Sequence, residues 1–254
     1  MNVSPLRYPG GKTRACKKLF ELFQEYFDET KYKTLVSPFF GGGSFEFYME
    51  EHFDTIIAND KFTPLITFWK ECQSNPLPLC DQLENQLGNV TKETFLELRS
   101  QINHSPWMYF VLNRCSFSGS TLSGGFSKEA SQKRFTLSSI QKIKNLHLNK
   151  FTFTNLDFED CLNEYFNSQA FLFLDPPYYL EKKSKLYGNK GDLHENFDHQ
   201  RLFECLSHKK GWMMTYNSCD YIKELYQDYT LIETSWSYGM NASKQSSEIV
   251  ILGL

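Results

Sequence analysis

Four residues, Asp175-Pro176-Pro177-Tyr178, follow directly on the apolar run Ala170-Phe171-Leu172-Phe173-Leu174. A buried strand that ends this way delivers a carboxylate to the carboxyl edge of a sheet, where open α/β folds bind their ligands. Neither proline has an N–H. The carbonyls of Asp175 and Pro176 can therefore point outward as acceptors from a turn of restricted φ, with the flat ring of Tyr178 beside them. Two acceptors and a ring face suit a planar group carrying NH₂. Alone, such a string is equally compatible with a strand that ends in a proline turn and a capping aspartate.

Upstream, Pro38-Phe39-Phe40-Gly41-Gly42-Gly43-Ser44-Phe45 stands between a short strand around Leu35 and a helical pattern from Phe45 to Glu51. Three glycines in a strand-to-helix turn let a ligand approach the backbone closely, and the helix start favours a carboxylate or phosphate. Their spacing is not the dinucleotide fingerprint, so nicotinamide chemistry fits poorly. The next strand, Thr55 to Ala58, runs into Asn59-Asp60, an acid placed to accept from both hydroxyls of a ribose or, taken by itself, to cap a helix. At the front, Leu6-Arg7-Tyr8-Pro9-Gly10-Gly11-Lys12 sets an aromatic and a lysine across a glycine turn, the lysine suited to neutralise a ligand carboxylate.

The elements that must position these residues read as α/β. Apolar runs at 34–36, 55–58, 170–174, 211–216, 229–233 and 248–252 alternate with helix-patterned stretches. The helical stretches are Thr13 to Phe27, with Leu19, Leu22, Phe23 and Tyr26 on one face, Phe158 to Phe166, Asp198 to Leu206 and Tyr221 to Tyr226. From Phe62 to Lys150 the rhythm changes to long helical patterns such as Lys92 to Ile102, then a Ser/Gly-rich stretch from Ser116 to Ser131 that reads as a mobile loop.

Composition bounds the chemistry. At 254 residues, 41% hydrophobic and 16% aromatic, the chain is globular, and no apolar run approaches the ~20 residues of a membrane span. Seven scattered cysteines without a CxxC pair read as free thiols in a reducing compartment, and the six histidines offer no ligand spacing, so no metal is expected. Net charge is −3. Between Arg99 and Lys150, however, eight basic residues face the single acid Glu129, and Lys182, Lys183, Lys185 and Lys190 follow. That is the footprint of phosphate contacts, although a solvated surface clusters charge in the same way.

Taken in order, these motifs resemble the Dam-type DNA adenine methyltransferases over nearly the whole length of the chain. The resemblance implies a three-layer α/β S-adenosylmethionine-dependent methyltransferase fold, Rossmann-like, with a seven-stranded mixed sheet. The core would span residues 1–61 and 151–254, with a mainly helical DNA target-recognition domain inserted at 62–150. It implies that S-adenosyl-L-methionine donates a methyl group to N6 of a flipped-out adenine, leaving S-adenosyl-L-homocysteine, with no metal. Carried over by residue, Asp175, Pro176, Pro177 and Tyr178 would be catalytic. Tyr8, Lys12, Phe39, Gly41, Gly43, Asp60, Asp157, Phe158, Asp175 and Tyr187 would face the cofactor.

Within the inserted segment, Asn113-Arg114-Cys115-Ser116-Phe117-Ser118-Gly119 and Gly124-Gly125-Phe126-Ser127 sit where that family reads DNA, which makes Arg114, Ser118, Lys128, Lys133 and Arg134 the contacts. Relatives that recognise GATC carry an arginine and asparagine after the aromatic-polar-Gly turn. This chain has Ser120-Thr121-Leu122-Ser123 instead, so that target is not implied. Trp212 to Asn217 and Ser237 to Asn241 resemble the family's final strands and their loop, with Tyr216 and Asn217 candidates for the target pocket. Double-stranded DNA is the expected partner, with a companion restriction endonuclease compatible, no membrane association, a monomer or weak dimer on DNA, and an intracellular, cytoplasmic setting of bacterial or viral origin. Two rivals stay open: methylation of another planar amine (cytosine, RNA or a protein amide), and a binding module that has lost activity.

Overall fold

A computed structural model of the chain describes residues 2–179, 197–237 and 245–254. Seven strands form one sheet in the order β3-β2-β1-β4-β5-β7-β6: β1 (Thr34–Ser37), β2 (Thr55–Asn59), β3 (Phe151–Thr154), β4 (Ala170–Leu174), β5 (Trp212–Asn217), β6 (Thr230–Ser237) and β7 (Gln245–Gly253). β1 to β5 run parallel, while β7 lies antiparallel between β5 and β6. The chain lays strands outward from β1 on one side and from β4 on the other. The carboxyl ends of β1 and β4 are therefore neighbours across the point where strand order reverses, the place where such sheets open a crevice for ligands. This topology brings the triple-glycine turn and the Asp-Pro-Pro-Tyr turn together from positions far apart in sequence.

Helices cover both faces of the sheet. All five residues of β4 are buried, as a central parallel strand requires. Its alternating side chains divide between two cores, Phe171 and Phe173 facing one, Ala170, Leu172 and Leu174 the other. The first core contains α1 (Cys16–Tyr26), α2 (Ser44–Met49) and the helices that follow β2. The helices Phe158–Tyr165, His199–Leu206 and Asp220–Leu225 pack on the second. The helix expected from Thr13 begins at Cys16, because the chain first turns onto the Lys12 carbonyl, which accepts from both Ala15 and Cys16. Tyr26, expected on the buried face, is 38% exposed, and Phe27 is buried in its place after the backbone turns extended. The short strand β3 offers only two apolar residues, Phe151 and Phe153, separated by threonine.

Between β2 and β3 come six α-helices: α3 (Thr63–Ser74), α4 (Pro76–Glu84), α5 (Lys92–Ser100), α6 (Pro106–Cys115), α7 (Lys128–Lys133) and α8 (Leu137–Lys144). Prolines in the first turns of α3, α4 and α6 mark their starts. These helices share a continuous core with the sheet. Trp69 of α3 stacks on Phe153 of β3 at 6.0 Å, and its indole N–H donates to the Gly41 carbonyl at 3.1 Å. The Ser/Gly-rich stretch is not an open loop. Ser116 bridges Phe126, Phe117 N–H donates to the Gly125 carbonyl, and Ser127 caps α7.

Asn113, fully buried at the end of α6, organises that turn. Its Oδ1 accepts from Arg7 N–H (2.9 Å), while Nδ2 donates to the carbonyls of Arg7 (2.9 Å) and Gly119 (3.2 Å) and to Thr121 Oγ1 (3.1 Å). One amide thus ties the front of the chain to the inserted helices. Truncation would leave several buried backbone groups unsatisfied. Asn113→Ala is expected to lose about 2–4 kcal/mol of stability in chemical denaturation, whereas Asn145→Ala, at the C-terminal end of α8, should change it by less than about 1 kcal/mol.

Candidate active site

The turn after β1 is built around its own aromatic residues. Gly41 and Gly43 take left-handed φ values of 51° and 68°. A Cβ on Gly41 would lie 2.7 Å from the Tyr8 ring and one on Gly42 2.8 Å from Tyr8 Cβ, while one on Gly43 would strike Phe40 at 2.4 Å. The close approach that the glycines permit is therefore, in this structure, that of Tyr8 and Phe40. Asp60 ties the turn to β2: one carboxylate oxygen accepts from Gly41 N–H (3.0 Å) and the other from Phe62 N–H (2.9 Å). Burial pushes its carboxyl up to about 6 despite these two bonds. Beside it, fully buried Asn59 donates to the carbonyls of Pro38 and Leu156 and accepts from Thr154 Oγ1 and Leu156 N–H. It stitches together the three loops that leave β1, β2 and β3.

Asp175 stands at the end of β4 with its side chain 24% exposed, and Lys12 beside it is almost fully buried. The Lys12 ammonium donates to Oδ1 and Oδ2 at 2.6 and 2.7 Å and to the Gly10 carbonyl at 3.0 Å. Thr215 of β5 donates its hydroxyl to Oδ1 at 2.7 Å. The lysine expected to meet a ligand carboxylate thus meets the catalytic candidate itself. Its ammonium also lies 5.0 Å from the Tyr178 ring centroid. The Tyr178 hydroxyl donates to Glu248 of β7 at 2.6 Å, Asn217 Nδ2 donates to the Tyr179 carbonyl at 2.9 Å, and Tyr216, fully buried, reaches His199 Nδ1 at 2.7 Å. Pro176 is buried and Pro177 partly so.

Asp157, expected opposite the cofactor's adenine, caps the helix Phe158–Tyr165 through Glu159 N–H and is held by Lys61 (2.9 Å) and Arg201. Burial opposes ionisation there, but the bonds from Lys61 and Arg201 hold the carboxyl below its ordinary range. The Phe158 ring is 5% exposed, with the Arg201 guanidinium 4.3 Å from its centroid and Phe39 5.7 Å away. Phe39 also packs on Phe197 at 5.5 Å, so the two expected cofactor rings already belong to one aromatic cluster. Tyr187, the basic cluster from Lys182 to Lys190 and the segment Tyr238 to Asn241 lie outside the described residues.

Around the inserted helices the basic candidates separate. Arg114 is committed to structure: Nε donates to the Arg134 carbonyl (2.7 Å) and Nη1 to the Pro5 carbonyl (3.1 Å). Burial, with Arg7 and Arg134 nearby, lowers its guanidinium to about 10. Lys128, Lys133 and Arg134 are exposed, with Lys133 paired to Glu129 at 3.1 Å. Ser118 sits at φ 56° in the turn, next to Phe117, whose side chain is 68% exposed.

Four residues that hold the site, Asn59, Thr215, Glu248 and Glu46, carry no motif of their own. Each is a buried polar residue inside an element, and only its interruption of an apolar run could have flagged it. Glu46, on the first turn of α2, is 2% exposed and accepts from Ser37 Oγ at 2.5 Å. Among the described residues no cluster of three or more His, Cys, Asp or Glu side chains is arranged to hold a metal ion, and no helix is long and apolar enough to cross a membrane.

A parallel sheet with one antiparallel insertion, a glycine turn at the switch point and an acid-Pro-Pro-aromatic turn beside it define an amino-methyltransferase. Residues 8–240 match the family described as D12 class N6 adenine-specific DNA methyltransferase, and the chain belongs to that family. It is similar to the Type II methyltransferase M1.LlaDCHI of Lactococcus lactis subsp. cremoris, with 24% identity over 99% of this chain and 95% of the relative. M.MjaIII of Methanocaldococcus jannaschii is 22% identical over 91% and 90%, and M.CviBI of Paramecium bursaria Chlorella virus NC1A 23% over 96% and 95%. The chain is an adenine-specific DNA methyltransferase.

Burial raises the Glu46 carboxyl from 4.5 to about 7, with the negative charge of Asp175 adding to the rise and Ser37 and Lys12 opposing it. The folded state therefore keeps a proton that the unfolded state releases near pH 4.5, so stability falls as pH rises from about 4.5 to about 7 and levels above. Glu46→Gln is expected to flatten that window and, by up to about 3 kcal/mol at pH 8, to stabilise the fold, read by denaturant titration at pH 5 and pH 8.

Proposed function

We propose that the chain extrudes one adenine of a short sequence in double-stranded DNA into the crevice at the ends of β1 and β4. There Asp175 and the Pro176 carbonyl accept the two N6 hydrogens. The exocyclic nitrogen is a poor nucleophile because its lone pair is delocalised into the ring. Accepting both N–H bonds favours a tetrahedral nitrogen and stabilises the positive charge that develops on it, a preorganised electrostatic effect. Tyr178 stacks on the base and fixes its approach. The observation that carries this reading is Asp175 held at the strand end by Lys12 and Thr215, with the proline turn beyond it. Since N6 cannot be reached inside a duplex, the base must leave the stack.

S-adenosyl-L-methionine supplies the methyl group and leaves as S-adenosyl-L-homocysteine. The donor set fits it: an ammonium at Lys12 for a carboxylate, the Asp60 carboxylate with lone pairs beyond the two backbone bonds for a ribose, and the aromatic cluster of Phe39 and Phe158 for an adenine. Gly41 and Gly43 would line that side with Tyr8. Lys12 would be shared between Asp175 and the cofactor. Asp157, tied to Lys61 and Arg201, would act on the adenine amine only with the lone pairs those bonds leave.

The inserted helices from 62 to 150 would read the DNA. Lys128, Lys133 and Arg134 are proposed to neutralise phosphates and Ser118 to approach the duplex, whereas Arg114 supports the turn from behind. Exposed Phe117 at that turn is suited to enter the stack vacated by the flipped base, as apolar wedges do. The Type II designation of the relatives makes an endonuclease with the same target the natural companion.

Modified-base sequencing of DNA from a methylation-deficient host expressing the chain is expected to show N6-methyladenine in one short motif. Unmodified adenine despite folded protein would refute the reading. Phe117→Ala should lower methylation on the order of tenfold on duplex DNA, and less on DNA with a mismatch at the target adenine, where unstacking is already partly done.

A further inference from the structure

The turn that carries Tyr178 is gripped from the neighbouring strands. Thr215 and Asn217 are two residues apart on β5 and so project on the same side. They hold Asp175 Oδ1 and the Tyr179 carbonyl respectively. Directly opposite Asn217 in the antiparallel β5–β7 register stands Glu248, which accepts from the Tyr178 hydroxyl at 2.6 Å. Glu248 is 1% exposed and is followed by Ile249, Val250 and Ile251, all fully buried. A carboxyl at such a position is costly unless its hydrogen bonds offset the loss of water. An aliphatic side chain would serve the sheet better, so the acid is explained by what it holds.

The hydroxyl is the end of the tyrosine farthest from the backbone. Because the hydroxyl oxygen lies on the Cβ–Cγ axis, a bond there fixes the first side-chain torsion and the place of the ring's far end. Rotation about that axis is left to what packs on the ring faces. The ring has the Lys12 ammonium 5.0 Å from its centroid and Tyr216 at 5.9 Å with 36° between planes, contacts that bear on its tilt, while the hydroxyl bond sets where it stands.

We propose that Glu248 is a positioning residue for methyl transfer, locking through the Tyr178 hydroxyl the place of the ring on which the target base stacks. This rests on the reading of Tyr178 as the stacking residue. Glu248 itself touches neither base nor cofactor in this arrangement. Its effect falls on the rate at saturating DNA and leaves cofactor affinity unchanged.

The test is single-turnover methylation of a duplex carrying the motif found by sequencing, with folding of each variant checked by thermal melting. Glu248→Leu is expected to slow the step on the order of tenfold, as loss of a buried hydrogen bond would, with the cofactor Kd within about twofold. Glu248→Gln, which keeps an acceptor, should recover most of the rate. In a Tyr178→Phe background, Glu248→Leu should cost less than it does alone, because the bond the two residues share is already gone. Additive losses in that cycle would overturn the proposal. Should Glu248→Leu fail to fold, Tyr178→Phe carries the test, and a wild-type rate for it overturns the proposal. Normal turnover by Tyr178→Ala would refute the stacking reading itself, whereas a crippled Tyr178→Ala beside an unimpaired Glu248→Leu would refute the positioning role alone.

Discussion

The buried ion pair between Lys12 and Asp175 is the constraint on which the site depends. It joins a loop near the amino terminus to the end of the central strand, and both carboxylate oxygens are used. Lys12 is nearly inaccessible while Asp175 keeps about a quarter of its side chain in solvent, so the pair is asymmetric. Truncating Asp175 altogether would leave the nearly buried ammonium without either carboxylate acceptor, at a cost of up to about 3–5 kcal/mol. The rest of the front segment answers to the same constraint. Tyr8 fills the glycine turn, and Asn113 clamps Arg7, so the loop that carries Lys12 is anchored on both sides.

Around this pair the fold buries several polar side chains near the carboxyl edge of the sheet. Glu46, Ser37, Asn59, Thr215 and Glu248 are each less than about 3% exposed. Burial of such groups lowers stability unless every one is hydrogen-bonded, and most of the bonds they make converge on the loops leaving β1, β3 and β4. Stability is conceded at the crevice and recovered in the two apolar cores on either side of β4. The antiparallel strand β7 has a specific part in this: wedged between β5 and β6, it places Glu248 behind the tyrosine of the catalytic turn.

Much of this arrangement is legible in the amino-acid sequence alone. The run Ala170 to Leu174, the glycine turn and the acid after β2 lie at the ends of strands because apolar continuity and glycine punctuation are local signals. What stays hidden is non-local. Nothing in the spelling of Lys12 says that its partner is Asp175, and nothing in that of Arg114 says that its guanidinium donates to the carbonyls of Pro5 and Arg134. The Ser/Gly-rich stretch misleads for the same reason, since its order comes from Asn113 and Ser116 and not from its own composition. Strand β3 escapes notice because alternation over only four residues is too short to separate from chance.

The most direct measurement is the single-turnover methyl-transfer rate of Asp175→Asn, with cofactor and DNA affinities measured on the same protein. Asparagine keeps an acceptor for Lys12 and nearly the same shape, so the fold and both binding steps should persist. A loss of at least about a hundredfold in rate is expected, with affinities changed by less than about tenfold. A rate within about threefold of the original would contradict the role assigned to Asp175.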